Sequence, residues 1–307
     1  MALHSETPLL ETSAAYSASG RPLLLKMEAL QPSGSFKLRG IGRLCEAEVA
    51  AGATAIYCAS GGNAGIAAAH AGRALGVPVT IVVPETTAAD VRARIEAAGA
   101  RVTVHGAVFD EADAHARAEA AREKAAYVHP FDHPLLWDGH ASMIDEVVAS
   151  GRPFDCVILS VGGGGLMAGV IEGLRRNGLA DIPVLAVETE GADSLARSIE
   201  AGERVTLEAI RSVATSLGAR RVAEQAFALA TSHPVISLTV TDADAIAALI
   251  RFADAFRVLV EPACGAALAV ADVHAGRLAR FRNPLVIVCG GIAVSLEKIE
   301  AWRRQPL

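Results

Sequence analysis

Three short segments hold residues whose types and spacing suit covalent or anion-binding chemistry. The first is Gln31-Pro-Ser-Gly-Ser-Phe-Lys-Leu-Arg-Gly40, where Pro32 and Gly34 mark a turn and Phe36 can open a helix. Lys37 then stands at a helix start, and the positive end of the helix dipole disfavours a cation there. Such a lysine has its neutral amine favoured, and a neutral amine can form a Schiff base with an aldehyde. The plain alternative is a solvated surface lysine.

The second segment is Ser60-Gly-Gly-Asn-Ala-Gly65, directly after an apolar run ending at Cys58. Small residues let backbone N–H groups approach an anion, and a helix start favours negative charge. Ser60 and Asn63 add donors, so a substrate carboxylate is the natural guest. An ordinary strand-to-helix turn with Asn63 as N-cap is the alternative. The third is Val161-Gly-Gly-Gly-Gly-Leu166, again between an apolar run and a helical pattern. Four successive glycines are costly unless backbone must approach a ligand closely, and strand, glycine loop, helix is a phosphate cradle. Gly163-x-Gly165-x-x-Ala168 also fits a dinucleotide fingerprint, with Glu188 where an acidic ribose ligand would stand. An aldehyde for Lys37 and a phosphate for the glycine loop together describe pyridoxal 5′-phosphate.

These loops need strands and helices to position them. Strands are expected at Thr54–Cys58, Val79–Val83, Val102–Val104, Cys156–Ser160, Val184–Glu188 and Leu285–Cys289, mostly near-continuous apolar runs that suit buried parallel strands. Helices are expected at Ala64–Leu75, Ala88–Ala98, Glu111–Lys124, Leu166–Arg175 and Asp242–Phe256. Alternation along the chain implies an α/β protein of two lobes. Each lobe carries a mostly parallel twisted sheet flanked by helices, with the cofactor in the cleft between. The expected division is a large domain of residues 1–38 and 135–307 and a small domain of 39–134.

Composition narrows the function further. Hydrophobic residues are 52% and charged residues 20% of 307, enough apolar material to exclude a disordered chain. Aromatics are only 4%, so the core must be aliphatic and alanine-rich. A net charge of −6 without a basic stripe argues against a nucleic-acid partner. No apolar run is long enough for a membrane span, and the N-terminus lacks a secretory pattern. Five scattered cysteines without a CxxC pair speak against a disulfide framework or structural zinc and for a reducing, cytoplasmic setting.

With these segments in order, the sequence resembles the fold-type-II pyridoxal-phosphate enzymes, and among them the serine/threonine dehydratases of the short liver type. The resemblance runs over nearly the whole chain: QPSGSFKLRGIG (31–42), SGGNAG (60–65), PFDHPLLWDGHAS (130–142), SVGGGGLMAGV (160–170), VETEGADS (187–194), SVATSLGA (212–219), VEPACGAALA (260–269) and IVCGG (287–291). It implies β-elimination of L-serine to pyruvate and ammonia, and of L-threonine to 2-oxobutanoate. It also implies that Lys37 carries the cofactor as a Schiff base, Phe36 packs on one ring face, and Asn63 meets the 3′-oxygen. Gly162, Gly163, Gly164 and Gly165 would hold the phosphate, and Cys289 would face the pyridine nitrogen. Ser60, Gly61, Asn63 and Ala64 would surround the substrate carboxylate. A monovalent cation, K⁺ in the first instance, would lie among Gly162, Glu188, Ala192, Ser194, Leu217 and Ala219, and the assembly would be a homodimer.

Two departures stand out: Gly61 where relatives often have Ala or Ser, and Ser216 where an Ala would pack on the second ring face. The resemblance also suggests no regulatory domain and no isoleucine feedback. Rival activities are serine racemisation, β-replacement of the O-acetylserine kind, a non-catalytic cofactor protein, and an NAD(P)-dependent oxidoreductase. Racemisation needs a second proton carrier, supplied in racemase-like relatives by a Ser at the position of Gly61.

Overall fold

The structure, a computed structural model, describes residues 2–304. In chain order the first elements are β1 (Leu9–Glu11), β2 (Leu24–Lys26), α1 (Lys37–Ala50), β3 (Ile56–Cys58), α2 (Asn63–Leu75), β4 (Val79–Val83), α3 (Ala89–Ala97), β5 (Arg101–Val104), α4 (Phe109–Glu123), β6 (Ala126–Tyr127) and α5 (Pro134–Ala149). There follow β7 (Cys156–Ser160), α6 (Gly165–Arg176), β8 (Val184–Thr189), α7 (Ser194–Ala201), α8 (Glu224–Ser232), β9 (Val235–Val240), α9 (Asp242–Phe256), α10 (Pro262–Val273), α11 (Ala275–Leu278), β10 (Pro284–Ile287) and α12 (Leu296–Arg304). The chain divides into two compact units. One holds Gln31–His140 with the N-terminal residues up to Ser5, and the other holds Glu6–Leu30 with residues 141–304.

The smaller unit is built on a four-stranded parallel sheet in the order β5-β4-β3-β6. Every residue of β3 and β4 is buried, Thr80 included, as their predominantly apolar sequences suggest. Leu38, Ile41 and Leu44 of α1 and Ala64, Ala67, Ala68 and Ala71 of α2 cover one face together with Ile56, Ile81 and Val83. Ala112, Ala116 and Ala120 of α4 meet Tyr57, Ala59 and Val82 on the other. Alanine suits this packing because it lets a helix lie close to the sheet. At Gly72 the approach is closer still, since a Cβ would stand 2.0 Å from the Val79 side chain.

The larger unit carries a six-stranded sheet in the order β1-β2-β10-β7-β8-β9. Strands β2, β10, β7, β8 and β9 run parallel, and β1 pairs antiparallel to β2. The central strands β7 and β8 are buried throughout. Helix α10 is buried from Pro262 to Ala271 and packs along α9. Helix α9 starts on a capping box in which Thr241 and Asp244 satisfy each other's backbone amides.

The α/β class and the mostly parallel sheets agree with the sequence expectation, and α9 and β4 have the expected bounds. Strand β10 ends at Ile287 rather than at Cys289, which leaves the cysteine in the turn beyond it. Strands β1, β2 and β6 are two or three residues long, too short to leave a periodic signal, and β9 was not anticipated. The units differ from the expected domains in three further places, one being the N-terminal residues up to Ser5, which group with the smaller unit. Residues 31–38 and 135–140 group with the smaller sheet, because Leu38 and Leu136 lie in the same apolar cluster as α2, β3 and β4.

Candidate active site

In the smaller unit, Lys37 is the first residue of α1, as the turn at Pro32 and Gly34 foretold. Its Nζ donates a hydrogen bond of 2.6 Å to the carbonyl oxygen of Pro130 and lies 5.2 Å from the centre of the Phe36 ring. Phe36 is the N-cap residue of α1, and its ring meets that of His140 at 4.9 Å and 58°. Strand β3 delivers Cys58, a buried thiol whose pKa burial pushes up to about 12, opposed only in part by the charge of Lys37. Lys37 and the strand end leading into Ser60 are thus electrostatic neighbours.

The Ser60–Gly65 segment opens α2 as expected, but Gly62 rather than Asn63 is the N-cap, and no side chain caps the helix. Asn63 is its first residue and Ala64 its second, both buried. The Ser60 hydroxyl accepts the Gly62 amide at 3.3 Å and so curls the loop before the helix. Gly61 lies under Thr87: a Cβ at Gly61 would stand 3.2 Å from Thr87 Cγ2.

In the larger unit, Gly162–Gly165 connect β7 to α6. Gly164 is the N-cap residue at φ 89°, a left-handed conformation that glycine tolerates, and no side chain caps this helix either. The loop is bounded closely by protein, since a Cβ at Gly162 would be 2.9 Å from Leu217 Cα and one at Gly164 would be 2.2 Å from Ala226 Cβ. Backbone at a helix start, with no acidic residue in the first turn, is suited to an anion of phosphate size. Cys289 lies beside this loop's strand, its Sγ 3.6 Å from the Ser160 hydroxyl. Contact with the Cys264 thiol, then burial, raise the Cys289 pKa well above the ordinary thiol value, so it stays protonated.

Glu188 is fully buried near the end of β8. Its two oxygens accept the amides of Leu195 at 2.8 Å and Ala196 at 2.7 Å in the first turn of α7. Burial raises its pKa to about 8, against the lowering effect of those two amides. Each carboxylate oxygen thus has one amide partner on α7 and a further lone pair left over. Ser194 is fully buried, and its hydroxyl has no hydrogen-bond partner among the described residues. Ala192 is buried in the turn after β8, where its amide bonds the Thr189 carbonyl at 2.9 Å. Leu217 ends a one-turn 3-10 segment over Gly162, and Ala219 follows with its amide on the Leu217 carbonyl. Ser216 is exposed at its side chain, with its carbonyl toward Gly162.

Three residues near Lys37 were not singled out from the sequence. His140 is fully buried with neither ring nitrogen hydrogen-bonded among the described residues, and burial, then the charges of Lys37, Arg39 and His4, keep it neutral. Ser35 is likewise buried with an unpartnered hydroxyl. His129 holds the turn that presents the Pro130 carbonyl. The only sequence signal for that turn is a histidine directly before a proline, within a run of turn formers.

Residues 2–290 match the model of the family described as pyridoxal-phosphate dependent enzyme. The chain is 46% identical to a mouse protein named serine dehydratase-like, over 98% of this chain and 94% of that one. It is 45% identical to a mouse protein named L-serine dehydratase/L-threonine deaminase, over 99% and 96%. Among solved structures, a fungal L-serine ammonia-lyase from Rhizomucor miehei superposes with a TM-score of 0.90 at 34% identity, covering 100% of both chains.

Proposed function

Because the chain belongs to the family of pyridoxal-phosphate dependent enzymes, we propose that it is an L-serine/L-threonine dehydratase. It removes water from L-serine to give, after hydrolysis, pyruvate and ammonia, and L-threonine gives 2-oxobutanoate in the same way. The observation that carries this reading is the Lys37 amine heading α1, in a chain similar over nearly its full length to proteins named for that activity.

The residues present fit the cofactor: a lysine amine, two uncapped glycine-rich helix starts and a protonated thiol. Pyridoxal phosphate, when bound, supplies an aldehyde for amino groups and a ring that spreads the negative charge left at the substrate Cα. Lys37 would hold the cofactor through Nζ, and its neutral amine would serve as general base toward the substrate Cα proton. Phe36 would pack on one ring face, and Asn63 would donate to the 3′-oxygen. Gly162, Gly163, Gly164 and Gly165 would hold the phosphate through backbone amides. Cys289 would face the pyridine nitrogen with a neutral thiol, which, unlike a carboxylate, would not hold a proton there. Ser60, Gly61, Asn63 and Ala64 would receive the substrate carboxylate.

We further propose a monovalent cation, K⁺ in the first instance, among Gly162, Glu188, Ala192, Ser194, Leu217 and Ala219. Two observations support it: the unpartnered, fully buried Ser194 hydroxyl, and a buried Glu188 carboxyl whose ionised form a cation would stabilise. All five cysteines are buried and free, which suits a reducing cytoplasm. A homodimer is the proposed assembly. No helix among the described residues is long and apolar enough to cross a membrane.

The test is release of 2-oxo acid from L-serine and L-threonine by the purified protein with pyridoxal phosphate and K⁺, beside Lys37→Ala. Release that disappears in the variant supports the dehydratase reading and ranks the two substrates. No release, from a protein that still shows the absorbance of lysine-bound cofactor, overturns it in favour of β-replacement or a non-catalytic cofactor protein.

A further inference from the structure

We propose that His129 is a positioning residue for the Lys37 amine, acting through the carbonyl of Pro130. The ring nitrogen Nδ1 of His129 accepts the amide of Phe131 at 3.2 Å and that of Asp132 at 2.7 Å. These two bonds close a turn around Pro130, and the carbonyl of that proline receives Lys37 Nζ at 2.6 Å. An amine with one N–H committed to a fixed carbonyl has its lone pair directed, and a general base must be directed as well as neutral. The imidazole itself is held from the side by the Phe131 ring, edge to face at 4.6 Å and 78°. Its role requires an unprotonated Nδ1, hence a neutral ring with the proton on Nε2.

The surroundings enforce that state. Burial is the main cause that pushes the His129 pKa down to about 4. The charges facing it are Asp113, which opposes the shift, and Arg117, Lys37 and His133, which favour it. Asp113 is itself engaged by the Tyr127 hydroxyl and by Arg117 at 2.7 Å, so its charge is shared rather than aimed at the imidazole. The ring therefore remains a hydrogen-bond acceptor throughout the neutral pH range.

This inference rests on Lys37 as the reactive amine, and its test separates the two claims. In full-length protein freed of cofactor, acetylation of Lys37 by acetic anhydride is followed by mass spectrometry against pH. A carbonyl acceptor favours the charged amine, so His129→Ala should shift the midpoint to lower pH. His129→Asn should restore it, because an Asn side-chain oxygen can accept the same two amides. In the loaded enzyme, His129→Ala should lower kcat on the order of tenfold or more with KM little changed, and His129→Asn should recover most of it. An unshifted midpoint in His129→Ala, or an Asn variant no better than the Ala variant, overturns the proposal. Should His129→Ala fail to fold, 15N shifts of the imidazole in the unsubstituted protein decide. A neutral Nε2–H ring from about pH 5 to 8 is required, and a proton on Nδ1 overturns the proposal. The acetylation and NMR readouts stand even if the protein releases no 2-oxo acid.

Discussion

Gly61 leaves an opening that Thr87 borders: a Cβ placed on the glycine would come within 3.2 Å of Thr87 Cγ2 and 3.6 Å of its Oγ1. The glycine is thus a spacer in the loop proposed to receive the substrate carboxylate. Gly61→Ala should raise KM for L-serine severalfold, because either Thr87 or the loop must give way by a few tenths of an ångström. Thr87→Ser removes the offending methyl and keeps the hydroxyl, so the double variant should recover much of the loss. Steady-state kinetics on the four proteins of this cycle measure the coupling. Equal effects of Gly61→Ala in both backgrounds would remove Thr87 from the explanation.

The cation proposal turns on Glu188 and Ser194. Exchanging K⁺ for a large organic cation should lower the rate of 2-oxo acid release and the melting temperature together. Glu188→Ala should abolish both responses to K⁺. It should also cost about 1–3 kcal/mol of stability, because the amides of Leu195 and Ala196 lose their acceptor in a buried place. A variant that keeps the K⁺ response would take Glu188 out of the site.

The glycine loop makes a sharper demand on shape than on charge. Gly164→Ala places a Cβ 2.2 Å from Ala226 Cβ and forces an L-residue to φ 89°. Together these should cost at least about 2 kcal/mol and weaken cofactor binding. Gly178→Ala is the control, since Gly178 is also left-handed, at φ 74°, but has no neighbour near its Cβ position. It should lose only about 1 kcal/mol and bind cofactor normally. Urea unfolding and cofactor titration on both variants test the pair.

Acid stability follows from His129. Its pKa falls from 6.5 to about 4 on folding, so between those pH values the unfolded chain binds a proton that the folded chain refuses. Stability is therefore intact above pH 6.5 and is lost as pH falls toward 4, by at most about 3 kcal/mol. An Asn at 129 does not titrate. Between pH 7.5 and 5 the melting temperature of His129→Asn should fall less than that of the unsubstituted protein, by roughly 2–4 °C. An equal fall in both would assign the acid lability to other groups, such as His140, whose pKa burial also depresses.

The parallel sheets, the glycine turns and the lysine at the head of α1 were legible in the sequence because each is a near-neighbour effect. Short β-branched apolar runs bounded by turn residues suit strands buried on both faces, as in β7 and β8, and a run of glycines marks a turn that a side chain would obstruct, as at Gly162 and Gly164. The family resemblance rests on the same segments. Sequence alone therefore determined the class of protein, the place of Lys37 at a helix start and the two glycine-rich helix starts. Tertiary structure decided the rest, because it depends on which distant segments meet. Pro130 reaches Lys37 across 93 residues, and Ser160 reaches Cys289 across 129. No local pattern marks His129 as an acceptor, His140 as buried and unpartnered, or Glu188 as turned inward onto α7. Those states are set by desolvation and by partners supplied through packing, and a one-dimensional sequence does not display either.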